Sequence, residues 1–289
     1  MSKLALGAAN FGLEYGLAND IGRVPTSELE KIFSVAETAG IRFIDTAQSY
    51  GDSEKRIGRL CDESFSIVTK IGQNLETDFD KNRIRSLVEQ SCKRLERPQL
   101  YAVMLHRPEV LLGPNGKHIV KELYEIRDQN IIAKIGVSIY SPEILTAISK
   151  IVKLDIIQVP FNIFDQQILS SGWSDELKSD GVEIHVRSVF LQGLLLMRQS
   201  SLPSYFTKYW GARFNSWYKF LRDNQVDAIE VALKFALQQN WIDKIVVGVD
   251  SVSHLQTLLE IEEFSKPMDF PLLGCNDPNL TNPSMWDLA

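Results

Sequence analysis

Three neighbouring apolar segments of this sequence end in a carboxylate, an amine and an imidazole, namely Asp45, Lys70 and His106. Tyr50 follows Asp45 within a short loop that is bounded by Gly51. Carboxylate, ammonium, imidazole and phenol groups are the side chains of general acid–base catalysis. Each also has an ordinary structural role, as a helix cap, a solvated charge or a packed ring. Shared chemistry requires the four side chains to meet, so the elements that carry them must bring their ends together.

Eight β-branched or aliphatic segments show little polar alternation, which is typical of parallel strands covered on both faces. Amphipathic helical patterns lie between them, and this order predicts an α/β fold, a (β/α)8 TIM barrel, rather than an open doubly wound sheet. The run from Gly7 to Gly12 lacks the GxGxxG spacing, which also argues against a Rossmann fold. The carboxyl ends of barrel strands form one rim, where Asp45, Lys70 and His106 should meet. The predicted strands are residues 4–8, 42–45, 65–70, 101–106, 133–138, 155–159, 182–189 and 244–249.

Two segments depart from the alternation of strands and helices. Residues 202–241 are longer than one crossover needs, and they predict an extra helical segment before strand eight, with an aromatic start and a helix around Ala228–Leu237. The tail, residues 265–289, contains four prolines and is expected to be irregular. Earlier in the chain, Ser27 and Glu30 form a capping-box pattern that predicts a helix start, and Gly40 predicts its end. We treat residues 1–289 as one domain.

The composition narrows the class of protein. The 289 residues carry 31 basic and 37 acidic side chains, a formal charge of −6, which argues against nucleic-acid or anionic-membrane partners. Three cysteines without a CxxC pair predict neither a disulfide framework nor a zinc cluster. The amino-terminal apolar run is too short for a signal peptide, and no run approaches the roughly 18 apolar residues of a membrane span. We therefore expect a soluble, reduced, cytoplasmic protein that is a monomer or a weak homo-oligomer.

The segment from Asp45 to Gly51, with its flanking residues, resembles the signature of the aldo-keto reductases. Lys70 and His106 match the other two catalytic positions of that family, and the resemblance runs from Leu4 to about residue 264. It implies an NAD(P)H-dependent reduction of an aldehyde or ketone to an alcohol, without a metal. Tyr50 would donate the proton, and Lys70 would lower the pKa of that phenol. Asp45 would keep Lys70 charged, and His106 would orient the substrate carbonyl.

The same resemblance implies which residues would contact the nicotinamide. Ser138 and Gln158 match two of the three residues that hold the carboxamide in the family, whereas Ile139 replaces the third, an asparagine. Asn162 lies nearby in the sequence and could compensate, or it could be an ordinary loop residue. In place of the usual aromatic residue of strand seven, Arg187 would lie along the cofactor.

The remaining cofactor contacts are expected after strands seven and eight. The loop that contains Ser188, Leu191 and Gly193 should follow the pyrophosphate. After strand eight the predicted contacts are Gly248, Asp250, Ser251 and His254. His254 stands where many members have an arginine, and Asp250 would repel a 2′-phosphate but accept hydrogen bonds from a ribose diol. The cofactor is thus NADP or NAD, and we hypothesise that the unphosphorylated form is tolerated or preferred.

Two other classes of function remain open at this stage. One is a related epimerase or lyase that retains its cofactor and cycles hydride internally. The other is a non-catalytic nicotinamide-binding barrel that acts as a sensor or as a subunit of a partner. The substrate is a small-molecule carbonyl compound, for which a sugar-derived aldehyde or ketone is a weak preference.

Overall fold

The fold is a closed barrel of eight parallel strands in sequence order, which confirms the predicted (β/α)8 architecture. A computed structural model describes residues 2–17, 19, 21–72, 75 and 82–288. The predicted strands differ from the observed ones by one or two residues at their ends. The strands are β1 (Leu4–Gly7), β2 (Phe43–Asp45), β3 (Ser66–Ile71), β4 (Leu100–Leu105), β5 (Ile132–Ser138), β6 (Ile156–Pro160), β7 (Glu183–Arg187) and β8 (Lys244–Gly248).

Helices separate the strands and cover the barrel. They are α1 (Ala9–Gly12), α2 (Thr26–Thr38), α3 (Ser53–Leu60), α4 (Arg83–Leu95), α5 (Gly116–Asp128), α6 (Leu145–Ile148), α7 (Gln167–Ser170), α8 (Trp173–Ser179), α9 (Ser204–Asn224), α10 (Ala228–Leu237), α11 (Val252–Glu263) and α12 (Pro278–Thr281). Short 3-10 turns occupy Pro108–Leu112, Pro142–Ile144, Leu191–Leu196, Gln199–Ser201 and Pro283–Met285. No helix in these described stretches is both long and apolar enough to cross a bilayer.

The predicted capping box is wrong. Helix α2 starts at Thr26 after an extended Pro25, and no side chain caps it, so Ser27 lies inside the first turn. Proline fixes the backbone just before the helix and thereby sets its start. The predicted end is confirmed, because Gly40 follows the helix with a φ of +78°.

The strand register aligns the residues that face the rim. Gly7 of β1 pairs with Asp45 of β2 and with Gly248 of β8, and Ser138 of β5 pairs with Gln158 of β6. Apolar side chains from several strands, such as Val68 and Met104, fill the barrel interior below them. The interior is therefore a packed floor that holds the polar rim in place.

The predicted extra helical segment before strand eight is present as α9 and α10. The tail is largely irregular, as predicted, with α12 as its one described α-helix. It packs against α9 and the loop after β6: Arg213 of α9 donates to the carbonyl of Gly274 at 2.7 Å, and the Cys275 amide donates to the Phe164 carbonyl at 2.7 Å. The ring of Trp286 contacts the edge of Phe206.

Candidate active site

A cleft of about 1170 Å³, including its open mouth, lies at the carboxyl end of the barrel. Strand-end residues and the loops after β1, β2, β7 and β8 form its walls. The predicted site residues that line it are Asp45, Tyr50, His106, Ser138, Gln158, Arg187, Ser188, Gly193, Gly248, Asp250 and His254.

Asp45 and Lys70 form a buried ion pair beneath the cleft. The Lys70 ammonium donates to Asp45 Oδ1 at 2.5 Å and to the Thr46 carbonyl at 3.1 Å. The second carboxylate oxygen of Asp45 accepts a hydrogen bond from Gln158 Nε2 at 2.7 Å. Burial lowers the pKa of Lys70, and the adjacent Asp45 acts in the opposite direction. Lys70 is only 1% exposed and is absent from the cleft lining, so it supports the site from behind.

Tyr50 is held at the cleft by a tight turn. Its amide donates to the Ala47 carbonyl, and Gly51 follows with a φ of +57°. A side chain at position 51 would collide with the backbone carbonyl of Gly12, so glycine is required there. The Lys70 ammonium lies 5.2 Å from the centre of the Tyr50 ring.

The electrostatic setting of Tyr50 differs from the expectation. Burial raises the pKa of the Tyr50 phenol, Asp45 raises it further, and Arg187 lowers it. The family resemblance implied that Lys70 would lower this pKa. Instead, the Lys70 ammonium donates to Asp45 and lies over the ring of Tyr50. The cation that lowers the pKa of Tyr50 is Arg187.

His106 lies directly after β4 and meets Tyr50 edge to face, with ring centres 6.1 Å apart. Burial lowers the pKa of His106 to about 4, and the positive charges of Lys70 and Arg187 act in the same direction. The imidazole is therefore neutral at pH 7. Ser49 Oγ lies 3.4 Å from its Nδ1 and is a weak partner for that nitrogen.

Ser138 and Gln158 meet at the floor of the cleft, where Ser138 Oγ donates to Gln158 Oε1 at 3.4 Å. Ile139, in place of the family's asparagine, is a buried core residue. Asn162 does not compensate for it. Its amide donates to the Ser188 carbonyl, its oxygen accepts the Phe164 amide, and it does not line the cleft. Asn162 is thus a buried loop residue.

The loop after β7 combines predicted and unpredicted contacts. Ser188 and Gly193 line the cleft, but Leu191 does not, because its side chain is fully buried in the core. Leu17 donates its amide to the Gln192 carbonyl at 2.9 Å, and Gln192 Nε2 donates to Tyr15 Oη at 3.2 Å. We call these contacts between residues 15–17 and Gln192 the strap, since they join the β1 and β7 loops beside the cleft.

The β8 end of the cleft is rich in acceptors. Asn10 Nδ2 donates to Asp250 Oδ1 at 2.5 Å and to the Val249 carbonyl at 2.8 Å. Asn10 Oδ1 is buried without a described partner. Burial lowers the pKa of His254, although Asp250 opposes the change. Ser251 does not line the cleft; its hydroxyl instead caps α11 by accepting the His254 amide.

Asn10, Tyr15 and Gln192 are site residues that were not predicted from the sequence. Asn10 had a usable signal, because it comes soon after the carboxyl end of the first strand, at the same rim where Asp45 ends the second. Tyr15 and Gln192 lie in loops whose contact depends on the folded barrel, and no spacing in the sequence indicates it.

These residues fit a nicotinamide dinucleotide. Ser138 and Gln158 offer a hydroxyl and an amide for a carboxamide, and the unpartnered Asn10 Oδ1 accepts hydrogen bonds at the other end. A Cβ at Gly248 would meet no atom within 4 Å, so this position leaves the cleft wall open to a ligand. Within the described ranges, no three His, Cys, Asp or Glu side chains are grouped to hold a metal ion.

Comparisons with known proteins identify the family of the chain. Residues 3–270 match the model of the "Aldo/keto reductase family". The chain is 26% identical to D-arabinose 1-dehydrogenase of Saccharomyces cerevisiae, over 92% of this chain and 84% of the relative. It is 25% identical to D-threo-aldose 1-dehydrogenase of Pseudomonas sp., over 85% and 84%. An aldo-keto reductase from Bacillus halodurans, solved in its holo form, superposes with a TM-score of 0.74 at 20% identity, covering 93% of this chain and 88% of that one. The chain belongs to the aldo/keto reductase family and is an NAD(P)-dependent carbonyl oxidoreductase.

Proposed function

We propose that this protein interconverts a sugar-derived aldehyde or ketone and the corresponding alcohol, with Tyr50 as the proton donor to the carbonyl oxygen. The observation that carries the proposal is the position of Tyr50, which lines the cleft between the neutral His106 and the buried Asp45–Lys70 pair. A phenol, a neutral imidazole and a charged pair on adjacent strands make up a proton-transfer site.

In this mechanism the nicotinamide, when bound, supplies the hydride that the carbonyl carbon accepts. Tyr50 gives its proton to the carbonyl oxygen, so the oxygen becomes a hydroxyl and Tyr50 a phenolate. The phenolate is stabilised by the positive charge of Arg187, and it is reprotonated from solvent through the open cleft. Neutral His106 donates a hydrogen bond to the carbonyl oxygen and thereby orients it. Asp45 keeps the Lys70 ammonium beneath the ring.

The names of two relatives support a sugar-derived substrate. Both are called 1-dehydrogenases of sugars, one of D-arabinose and the other of D-threo-aldoses. The half-exposed rings of Tyr15 and Tyr140 on the cleft wall offer apolar faces and hydroxyls, which suit a polyhydroxylated compound.

We further propose that NAD(H) is preferred over NADP(H). Among the described residues that line the cleft, Arg187 is the one lysine or arginine. The β8 end presents the Asp250 carboxylate and the Asn10 oxygen, both acceptors, beside a His254 whose pKa is lowered. Acceptors suit a ribose diol, whereas a 2′-phosphate would meet a negative charge and no fixed cation.

The test is a panel of aldoses, ketoses, aldehydes and the matching sugar alcohols, assayed in both directions with each phosphorylated and unphosphorylated cofactor. We expect multiple turnovers and a higher kcat/KM with NADH than with NADPH. Tight cofactor binding without turnover would instead indicate a sensor or partner subunit. Product formation without net consumption of free cofactor would indicate an internal hydride cycle.

A further inference from the structure

Arg187 is a fixed cation at the catalytic end of the cleft. It is the last residue of β7, and its guanidinium donates to the Ile139 carbonyl at 3.1 Å and to Ser188 Oγ at 3.3 Å. The guanidinium also lies over the ring of Tyr140, 4.5 Å from the ring centre. A carbonyl, a hydroxyl and an aromatic face hold this side chain in place, but none of them neutralises its charge.

The described residues provide no ion-pair partner for Arg187. Asp45, the nearest acidic group of the catalytic set, is engaged by Lys70 and Gln158. Asp165 lies near enough to feel the charge of Arg187, but its carboxylate bonds to Gln167 and no described ion-pair contact joins it to Arg187. The catalytic end of the cleft therefore carries a positive charge that a bound anion would balance.

The pyrophosphate of the cofactor has a candidate position away from the Arg187 guanidinium, in the loop after β7. Ser188, Leu191 and Gln192 all have φ between +48° and +61°, and Gly193 follows at +88°. Left-handed residues in series turn backbone amides toward one side and form an anion-binding concavity. The amides of Leu191 and Gly193 already donate to the Ser188 and Phe190 carbonyls, so an anion here would meet the other amides of the loop. The side-chain charge of Arg187 acts instead on Tyr50 and His106, the catalytic pair. The two positive features thus serve different parts of the cleft.

Two phenols extend the donor set around Arg187. Tyr15 and Tyr140 both line the cleft, and Tyr15 Oη already accepts a hydrogen bond from Gln192, which leaves its own hydrogen free to donate. A guanidinium with neighbouring hydroxyl donors binds carboxylate and phosphate oxygens strongly.

We propose that Arg187, assisted by Tyr15 and Tyr140, anchors an anionic group of the substrate, a carboxylate or a phosphate carried on the carbonyl compound. This inference rests on the proposed function, because it names the substrate class of the same site.

The test compares matched pairs of aldehydes that differ in charge: para-carboxybenzaldehyde with its methyl ester, and glyceraldehyde phosphate with glyceraldehyde. The measured quantity is the ratio of kcat/KM for the anionic member to kcat/KM for the neutral member. Because both members share the same cofactor and the same Tyr50, losses at those groups cancel in the ratio. We expect a ratio of about ten to one hundred for the wild type with at least one pair. Arg187→Met should bring it to about one, and Arg187→Lys should keep part of it.

The two pairs also separate a carboxylate ligand from a phosphate. A ratio near one in the wild type for both pairs would overturn the inference. So would an unchanged ratio in Arg187→Met together with weaker NADH binding, since the charge would then belong to the cofactor site. Calorimetric binding of the carboxylate-bearing alcohol and of its ester gives a readout without turnover. Arg187-dependent binding of the carboxylate without any turnover would keep the anchor and reject the proposed reaction.

Discussion

The two ends of the barrel carry the same four kinds of side chain: a lysine, a carboxylate, a tyrosine and a histidine. The rim set is Asp45, Tyr50, Lys70 and His106, and the basal set is Tyr101, Lys134, Glu183 and His185. The rim set comes from β2, β3, the turn after β2 and the end of β4, and the basal set comes from β4, β5 and β7. Residue type alone therefore does not distinguish a candidate active site from a structural network, and the difference must lie in how each set is connected.

In the basal set the polar groups bond to one another. Tyr101 donates to Glu183 at 2.6 Å, Lys134 donates to Tyr101 at 2.8 Å and also to Glu183, and His185 Nε2 lies 2.6 Å from Glu183. His185 Nδ1 is the one buried atom of this set without a described partner. None of the four lines the cleft. Such a network holds the bottom of the barrel together.

In the rim set only the lysine and the carboxylate bond to each other. Tyr50 and His106 line the cleft, and no described hydrogen bond involves the Tyr50 hydroxyl. The rim thus keeps a phenol and an imidazole available to a ligand, beside a charge pair that is already complete. The comparison indicates that available hydrogen-bonding capacity next to a cavity is what marks a site for chemistry.

The largest predicted effect is the loss of turnover when the Tyr50 hydroxyl is removed, compared with removal of the Tyr101 hydroxyl at the other end. Tyr50→Phe should lower kcat by about 10²- to 10⁴-fold, because the carbonyl oxygen loses its proton donor, while the Kd for NADH stays within about a factor of two. Tyr101→Phe is the matched control; it should leave kcat nearly unchanged and lower the free energy of unfolding by about 1 kcal/mol. Steady-state kinetics, cofactor titration and urea unfolding measure these quantities. Equal losses of kcat in the two variants would contradict the distinction between the ends.

The next-largest effect is the loss of stability when the Lys70–Asp45 pair or the Lys134–Glu183 pair is broken. Lys70 is 1% exposed and Asp45 is 6% exposed, so Lys70→Met should leave a buried, unpaired carboxylate and cost about 3–5 kcal/mol in unfolding free energy. Lys134 is 30% exposed, and Glu183 keeps Tyr101 and His185 as donors, so Lys134→Met should cost less than half as much. Urea denaturation of both variants gives the comparison.

A double variant isolates the charge from the packing. Asp45→Asn combined with Lys70→Met should recover part of the stability lost in Lys70→Met but none of its activity. If Lys134→Met proved as costly as Lys70→Met, burial would not be what separates the two pairs.

The two ends should also respond to acid in different pH windows. Burial lowers the pKa of His106 to about 4, below its ordinary 6.5, so the unfolded chain takes up this proton first. Stability from His106 is therefore lost as pH falls from about 6.5 to about 4, by at most about 1.4 kcal/mol per pH unit. Burial disfavours the Glu183 carboxylate, but hydrogen bonds from His185, Lys134 and Tyr101 outweigh it and lower its pKa from 4.5 to about 2. Stability from Glu183 is present above pH 4.5 and is lost as pH falls toward 2.

Protonation of Asp165 changes the stability in the opposite direction to protonation of His106, over nearly the same pH range. Its pKa is raised by burial from 3.8 to about 6, so the folded protein takes up this proton first, and stability is gained as pH falls from 6 to 4. The measurement is therefore the difference in unfolding free energy between wild type and His106→Asn as a function of pH, with Glu183→Gln as the basal counterpart. A difference that does not change between pH 6.5 and 4 would contradict the lowered pKa of His106.

The barrel and most of the rim could be predicted from the sequence, because buried parallel strands have a distinct composition and their carboxyl ends must meet. Asp45, Lys70 and His106 follow from that rule alone. The position of Leu191 could not be predicted, since a left-handed backbone turns its side chain into the core. The surroundings of Arg187 depend on a carbonyl from another strand, and those of Asp250 depend on Asn10 near the other end of the chain. Such contacts are set by tertiary packing, and the local periodicity of the sequence does not predict them.

The smallest effect concerns the strap, which has no counterpart among the described residues of the basal set. Its side-chain part is one exposed hydrogen bond, from Gln192 to Tyr15, whereas its backbone part, from Leu17 to the Gln192 carbonyl, does not depend on the side chain. Gln192→Ala should therefore speed NADH release about two- to fivefold, the range of one exposed hydrogen bond, because loops beside a cofactor must open before it leaves. Gln199→Ala removes two exposed bonds away from the cleft, one donated to Asn215 and one accepted from Arg222, and is the control. Stopped-flow fluorescence of NADH release measures both, and equal rates in the two variants would show that the rim is not held closed by this side-chain contact.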